Sequence, residues 1–208
     1  MTTLEPVVLA DRHVRLEPLA PAHAAGLLAA ARSQRATFTF THVPSDLPAM
    51  EAYIAKAQAE HAAGKSLPFA VLDPAGHLVG STRFMDVETW SWPVGDPPAP
   101  LPTGPDVVEI GSTWYAERVQ RTALNTAAKL LLCTHAFETW RVRRVRWKTD
   151  ARNERSRAAI LRLGARFDGV LRAARPAWDG GVRDDAFYSM LAVDWPAARD
   201  RLAARLQT

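Results

Sequence analysis

The chain has 208 residues and a formal net charge of +4, with 48% hydrophobic and 23% charged residues. This is the composition of a globular protein long enough to bury a substantial core. No apolar run reaches the roughly 18–20 residues of a membrane span, and a single cysteine, Cys133, excludes an internal disulfide framework or a multi-cysteine zinc site. The opening Met1-Thr-Thr-Leu-Glu-Pro lacks the basic start and apolar run of a signal peptide, so an unprocessed cytoplasmic protein is expected. Charge is unevenly spread: residues 141–175 hold 12 Lys/Arg against 3 Asp/Glu, and the rest of the chain is net acidic. Such a block suggests an anionic partner, nucleic acid or a phosphate-bearing cofactor, or else an arginine-rich face in water.

The pattern predicts helices over residues 21–33 and 46–63. The second is capped by Ser45 or Asp46, carries Pro48 in its first turn and stops at Gly64. Residues 68–72 and 77–86 are β-rich runs around Asp73-Pro-Ala-Gly76 and predict a hairpin. Residues 88–106 hold Trp90, Trp92 and the prolines 93, 97, 98, 100, 102 and 105, too many for a helix or central strand, so an inserted loop is expected. A strand follows over 107–115, then a long helix over about 120–139 with apolar residues around most of its circumference. In 144–150, Val145, Trp147 and Thr149 alternate with Arg144, Arg146 and Lys148. Asn153 is placed to cap a short helix that ends at Gly164; strands near 166–173 and 185–193 and a tail helix over 196–206 complete the chain. The fold class is mixed α/β, and the whole chain, 1–208, reads as one domain.

Serine-hydrolase, zinc-protease, Walker and dinucleotide motifs are absent, and the histidines show no metal-ligand spacing, so no metal is expected. The junction from strand 107–115 into the long helix is more informative. A helix start offers free backbone N–H groups and partial positive charge, suited to a pyrophosphate. Here it reads Glu117-Arg-Val-Gln-Arg-Thr-Ala-Leu-Asn-Thr126, with two arginines and small or hydroxylated side chains. The alternative at this point is a simple capped helix whose arginines meet water.

Taken together, Glu109-Ile-Gly-Ser-Thr-Trp-Tyr115, Gln120-Arg-Thr-Ala-Leu-Asn-Thr126, Lys129-Leu-Leu-Leu with His135-Ala-Phe, Lys148-Thr-Asp-Ala-Arg-Asn153-Glu-Arg-Ser156 and Leu163-Gly164-Ala-Arg-Phe resemble the GNAT acetyltransferases. The branch with the ribosomal-protein N-terminal acetyltransferases is the most similar. The resemblance implies a central, mostly antiparallel twisted sheet with helices on both faces and splayed central strands. It also implies acetyl-CoA as co-substrate and a primary amine, a small molecule or protein N-terminus, as acceptor.

Family members carry R/Q-x-x-G-x-G/A where strand meets helix. Gln120 matches the first position, while Ala123 and Asn125 stand where the glycines would be. The resemblance assigns cofactor contacts to Trp114, Tyr115, Gln120, Arg121, Thr122, Ala123, Leu124, Asn125, Thr126 and Asn153, and phosphate neutralisation to Arg121 with Arg155 or Arg157. It makes Glu109 the leading base, on one strand face with Gly111, Thr113 and Tyr115, opposite Ile110 and Trp114. Asn153 is a second candidate at the reacting centre. Ser156 is a candidate donor to the CoA sulfur, unless it bonds back to its own helix. Asp150 is a second possible base or a helix cap. The acceptor pocket is expected between the first two helices, the Trp90–Pro105 loop and the final hairpin near Trp178, with Phe38 and Phe40 adding aromatic surface. No membrane partner is expected, and the chain would be a monomer or homodimer. The alternative is a GNAT fold that has lost its chemistry and serves as a basic nucleic-acid-binding or regulatory module.

Overall fold

The structure, a computed structural model, describes residues 4–33, 35–95, 98–99 and 101–207. The opening three residues and Pro97 and Pro100 of the expected proline loop lie outside them. The strands are β1 (Leu9–Ala10), β2 (Arg15–Pro18), β3 (Leu67–Leu72), β4 (Leu78–Glu88), β5 (Val107–Tyr115), β6 (Arg144–Asp150), β7 (Arg166–Pro176) and β8 (Val182–Leu191). The helices are α1 (Ala24–Ala31), α2 (Leu47–Ala62), α3 (Ala123–Thr134), α4 (Glu154–Arg162) and α5 (Trp195–Arg205). The strands form one sheet in the order β1-β2-β3-β4-β5-β6-β8-β7. Every neighbouring pair is antiparallel except β5 with β6.

The parallel pair is short. Only Val107, Val108 and Glu109 of β5 find partners on β6, at Arg144, Val145 and Arg146. Beyond Glu109 the two strands part, so residues 110–115 have no β6 partner on that side. The expected splay of the central strands is therefore present, with Glu109 at its apex.

Apolar side chains cover both faces. One core joins Val108, Ile110 and Tyr115 to Leu124, Ala127, Ala128 and Leu132 of α3 and to Leu202 of α5. The other joins Trp114 and Ala70 to Leu27 and Leu28 of α1 and Met50 and Ile54 of α2. Helix boundaries follow local chemistry. Asp46 caps α2 by accepting from Ala49 N at 2.8 Å. Asn153 caps α4 by accepting from Ser156 N at 3.0 Å. Gly164 leaves α4 at φ +99°, a conformation that costs glycine little.

Two expectations change. The long helix begins at Ala123, three residues later than expected, because Arg121 adopts φ +62° and Thr122 is extended and accepts from Leu124 N as the cap. Its last turn, His135–Thr139, widens into a π-helix. The final hairpin is also longer than expected, since its strands run to Pro176 and from Val182.

Candidate active site

Glu109 stands at the point where β5 and β6 separate, and its residue is 1% exposed. Its Oε2 lies 3.0 Å from Lys148 Nζ and 3.5 Å from Arg146 Nε. Lys148 also donates to Asp86 Oδ2 (2.6 Å), so its charge is shared between the two carboxylates. Burial therefore outweighs the two nearby cations and pushes the Glu109 carboxyl up to about 7. Asp86 behaves oppositely: burial would raise it, but Lys148 and Arg146 hold it below the ordinary carboxylate range. A carboxyl poised near neutral pH is suited to accepting a proton from an ammonium group.

The expected strand face of Glu109 is overturned in part. Arg83 faces Gly111 and Ser81 faces Trp114, so Thr82 opposes both Ser112 and Thr113. This bulge, with Ser112 at φ +48°, reverses the alternation beyond it. Thr113 and Tyr115 turn towards α3 on the face of Ile110, and Trp114 turns to the α1–α2 face. Only Gly111 shares the Glu109 face as expected. A Cβ on Gly111 would lie 2.9 Å from Glu109 Oε1, so glycine leaves the carboxylate its space.

A cleft of about 100 Å³ opens along the freed side of β5, lined by Thr37, Phe38, Thr41, Thr113, Trp114, Tyr115, Gln120 and Arg155. Of the expected cofactor residues it unites Trp114, Tyr115 and Gln120. Gln120 Nε2 donates to Tyr115 O at 2.8 Å and to Thr37 Oγ1 at 3.3 Å. Arg155 crosses to Gln120 Oε1 at 3.2 Å and Thr37 O at 3.4 Å. Arg121, Thr122 and Ala123 are exposed at the mouth of α3, Asn125 and Thr126 half-buried. Leu124 is a core side chain that can offer only its backbone.

Sequence reasoning missed Thr37 and Thr41 as cleft residues, since a polar loop before α2 carries no periodic signal. That loop also reaches the far hairpin, where His42 stacks on Trp178 at 4.4 Å and Arg152 lies over Phe40. Phe38 packs edge-on against Trp114. Trp90 and Trp92 contribute nothing to the cleft: they pack on each other, with Arg143 over Trp92 and Trp90 N donating to Asp106.

Three further assignments are corrected. Asp150 does not cap α4; it binds Arg152 through both carboxylate oxygens, which holds its carboxyl low and leaves it a poor base. Arg157 is tied to Tyr188 Oη at 2.8 Å and Ala151 O at 3.1 Å, so Arg155 alone of that pair faces the cleft. The basic block is largely neutralised from within. Seven of its twelve cations, Arg143, Arg144, Arg146, Lys148, Arg152, Arg166 and Arg175, meet carboxylates, most of them on other strands. Ser156 is half-buried, and among the described residues its hydroxyl has no hydrogen-bond partner. Among the described residues no group of three or more His, Cys, Asp or Glu is able to hold a metal, and no helix is long and apolar enough to cross a membrane.

Comparison with known proteins fits this geometry. Residues 13–166 match the acetyltransferase (GNAT) domain model. A GCN5-related N-acetyltransferase from Brucella melitensis superposes with a TM-score of 0.81 at 29% identity, covering 98% of this chain and 88% of that one. A protein of T. thermophilus described as an acetyltransferase gives 0.78 at 34% identity, covering 97% and 98%. RimJ of Mycobacterium smegmatis, solved in complex with CoA-disulfide, gives 0.76 at 22% identity, covering 96% and 93%. At that identity the likeness is one of fold. No protein of curated function matches the sequence. With three quarters of its length matched by the domain model, the chain belongs to the GNAT family of acetyl-CoA-dependent N-acetyltransferases.

Proposed function

We propose that this enzyme moves the acetyl group of acetyl-CoA to a primary amine, a small molecule or a protein N-terminus, by direct attack on the thioester at the fork between β5 and β6, with residues 1–208 acting as one catalytic domain. The observation that carries this reading is the buried Glu109 at the apex of the fork, its carboxyl raised to about 7.

The cleft suits the co-substrate. Residues 110–114 of β5 have no β6 partner on that side, which leaves that edge open to the amides of a pantetheine arm, and Gln120 covers Tyr115 O at its end. The N–H groups of Thr122 to Asn125 at the start of α3 would hold the pyrophosphate, with Gln120, Arg121 and Arg155 beside it. Ala123 is small enough to replace glycine at an exposed helix start.

An alkyl ammonium with a pKa near 10 is only about one part in a thousand neutral at pH 7, so its proton must be removed. Glu109 takes it, directly or through water, from the α1–α2 face. The nitrogen lone pair then forms the C–N bond at the thioester carbon. Backbone donors near the bulge at Ser112 and Thr113 stabilise the oxyanion. As the C–S bond breaks, the proton shed by the newly bonded nitrogen passes through the Ser156 hydroxyl, which gives one proton and regains another, to the sulfur, so that CoA departs as the thiol; Asn153 orders the start of α4 around it. Phe38, Phe40, His42 and Trp178 give the acceptor side an aromatic character.

A thiol-release assay with acetyl-CoA across primary amines and N-terminal peptides tests the proposal. Amine-dependent thiol with matching acetylated product supports it; thiol release by no amine refutes it. The nucleic-acid reading loses its motive, because most of the basic block is already paired with the protein's own carboxylates.

A further inference from the structure

Lys129 lies in the middle of α3, within an otherwise apolar helix face, and is 5% exposed. No carboxylate meets it among the described residues. Its Nζ instead donates to Thr113 Oγ1 at 2.7 Å and to Thr82 Oγ1 at 3.3 Å, and the two hydroxyls are 2.7 Å apart. The three groups close a triangle on the α3 side of the β4–β5 bulge, where Thr82 opposes both Ser112 and Thr113. Thr113 also lines the cleft. A lysine in a core costs far more than a leucine unless its nitrogen is used. Here the nitrogen reaches an irregular point of the strand that borders the cleft.

We propose that Lys129 is a positioning residue for acetyl transfer: through Thr113 and Thr82 it locks the bulge whose backbone groups border the thioester. The proposal rests on the acetyl-transfer reading above. A bulge leaves ladder groups unpaired and free to shift. The lysine supplies the missing cross-tie, joining α3, β4 and β5 at one nitrogen and fixing where the N–H groups after Ser112 point. Burial draws the amine down to about 7, so near neutral pH it is protonated about half the time and its N–H groups donate in either form. The other titratable group beside it is Cys133, one turn along α3, whose thiol burial pushes up to about 12. A protonated thiol supplies no counter-charge, in keeping with a nitrogen used for its hydrogen bonds.

The test uses Lys129→Met, which keeps the bulk and loses the donors, with Thr113→Val as a second variant should the first fail to fold. Steady-state kinetics with acetyl-CoA and a reactive amine are combined with amide hydrogen exchange at Ser112, Thr113 and Trp114. The expected result is a kcat lowered on the order of 100-fold with KM for acetyl-CoA changed less than threefold, as a misplaced catalytic geometry gives. The double variant should lose no more than either single one, and exchange at the three amides should quicken. A folded Lys129→Met enzyme with kcat within twofold of wild type overturns the proposal, as does an additive double variant. If the wild-type enzyme acetylates nothing, the acetyl-transfer reading fails instead. The exchange data then decide the cross-tie alone: unchanged protection at Ser112–Trp114 overturns it.

Discussion

Replacing Glu109 by glutamine separates its chemical role from its structural one. The side chain is 2% exposed, and burial raises its carboxyl from 4.5 to about 7. A carboxyl raised on folding favours the folded state while protonated in both states, below about pH 4.5. That contribution disappears as pH rises through about 7. The difference corresponds to about 3 kcal/mol across the window, with no discount for solvent because the group is buried. Glutamine cannot ionise. The stability of Glu109→Gln relative to wild type should therefore climb between pH 5 and 8 and level off above. Part of the gain is offset because Arg146 and Lys148 lose a carboxylate neighbour, although Lys148 keeps Asp86 at 2.6 Å. Thermal melts at half-unit pH steps read the stability, and thiol release reads the activity, which should fall 100-fold to 10,000-fold. The acidic limb of the wild-type kcat/KM profile, near pH 7, should vanish with it. A melting difference flat in pH, or unchanged turnover, refutes the assignment.

Other substitutions probe separate parts of the site. Ala123→Ile places a branched side chain at the exposed start of α3 and should weaken acetyl-CoA binding at least ~10-fold, or about 1.4 kcal/mol; calorimetric titration showing wild-type affinity would remove the pyrophosphate from that turn. Gly111→Ala puts a methyl 2.7 Å from Met85 Sδ and 2.9 Å from Glu109 Oε1, so kcat should drop while acetyl-CoA affinity holds; kinetics showing intact turnover would mean that the placement of Glu109 is not critical. Asn153→Ala removes the side chain that accepts from Ser156 N at 3.0 Å and should cost about 1 kcal/mol in chemical denaturation. A larger rise in KM for acetyl-CoA than that destabilisation explains would add a contact with the co-substrate; no change in either would deny both roles.

Local signals located most elements. Strand 107–115 was legible from β-rich residues bounded by proline and a turn, and α4 from Asn153 and Gly164. The fork was legible only through family resemblance, because strand divergence leaves no mark in a hydrophobic pattern. The bulge at Ser112 escaped alternation, since it is set by the register against β4 and not by any residue of β5 alone. It misplaced Thr113, Trp114 and Tyr115 by one face each. Lys129 was hidden for the opposite reason: a single cation in an apolar helix reads as a point of exposure until the packing shows two threonines meeting it. The basic block misled because most of its partners, among them Asp86, Glu88, Asp106, Glu109 and Asp194, lie outside it in sequence and come adjacent only once the sheet is assembled.

A crystal structure of the enzyme soaked with acetyl-CoA tests the central claim most directly. The pyrophosphate should lie against the backbone amides of Thr122–Asn125, the pantetheine along residues 110–115, and the thioester beside the bulge on the way to Glu109, with Arg155 released from Gln120 to meet phosphate. Acetyl-CoA bound elsewhere, or the cleft beside β5 empty at saturating ligand, would contradict the account.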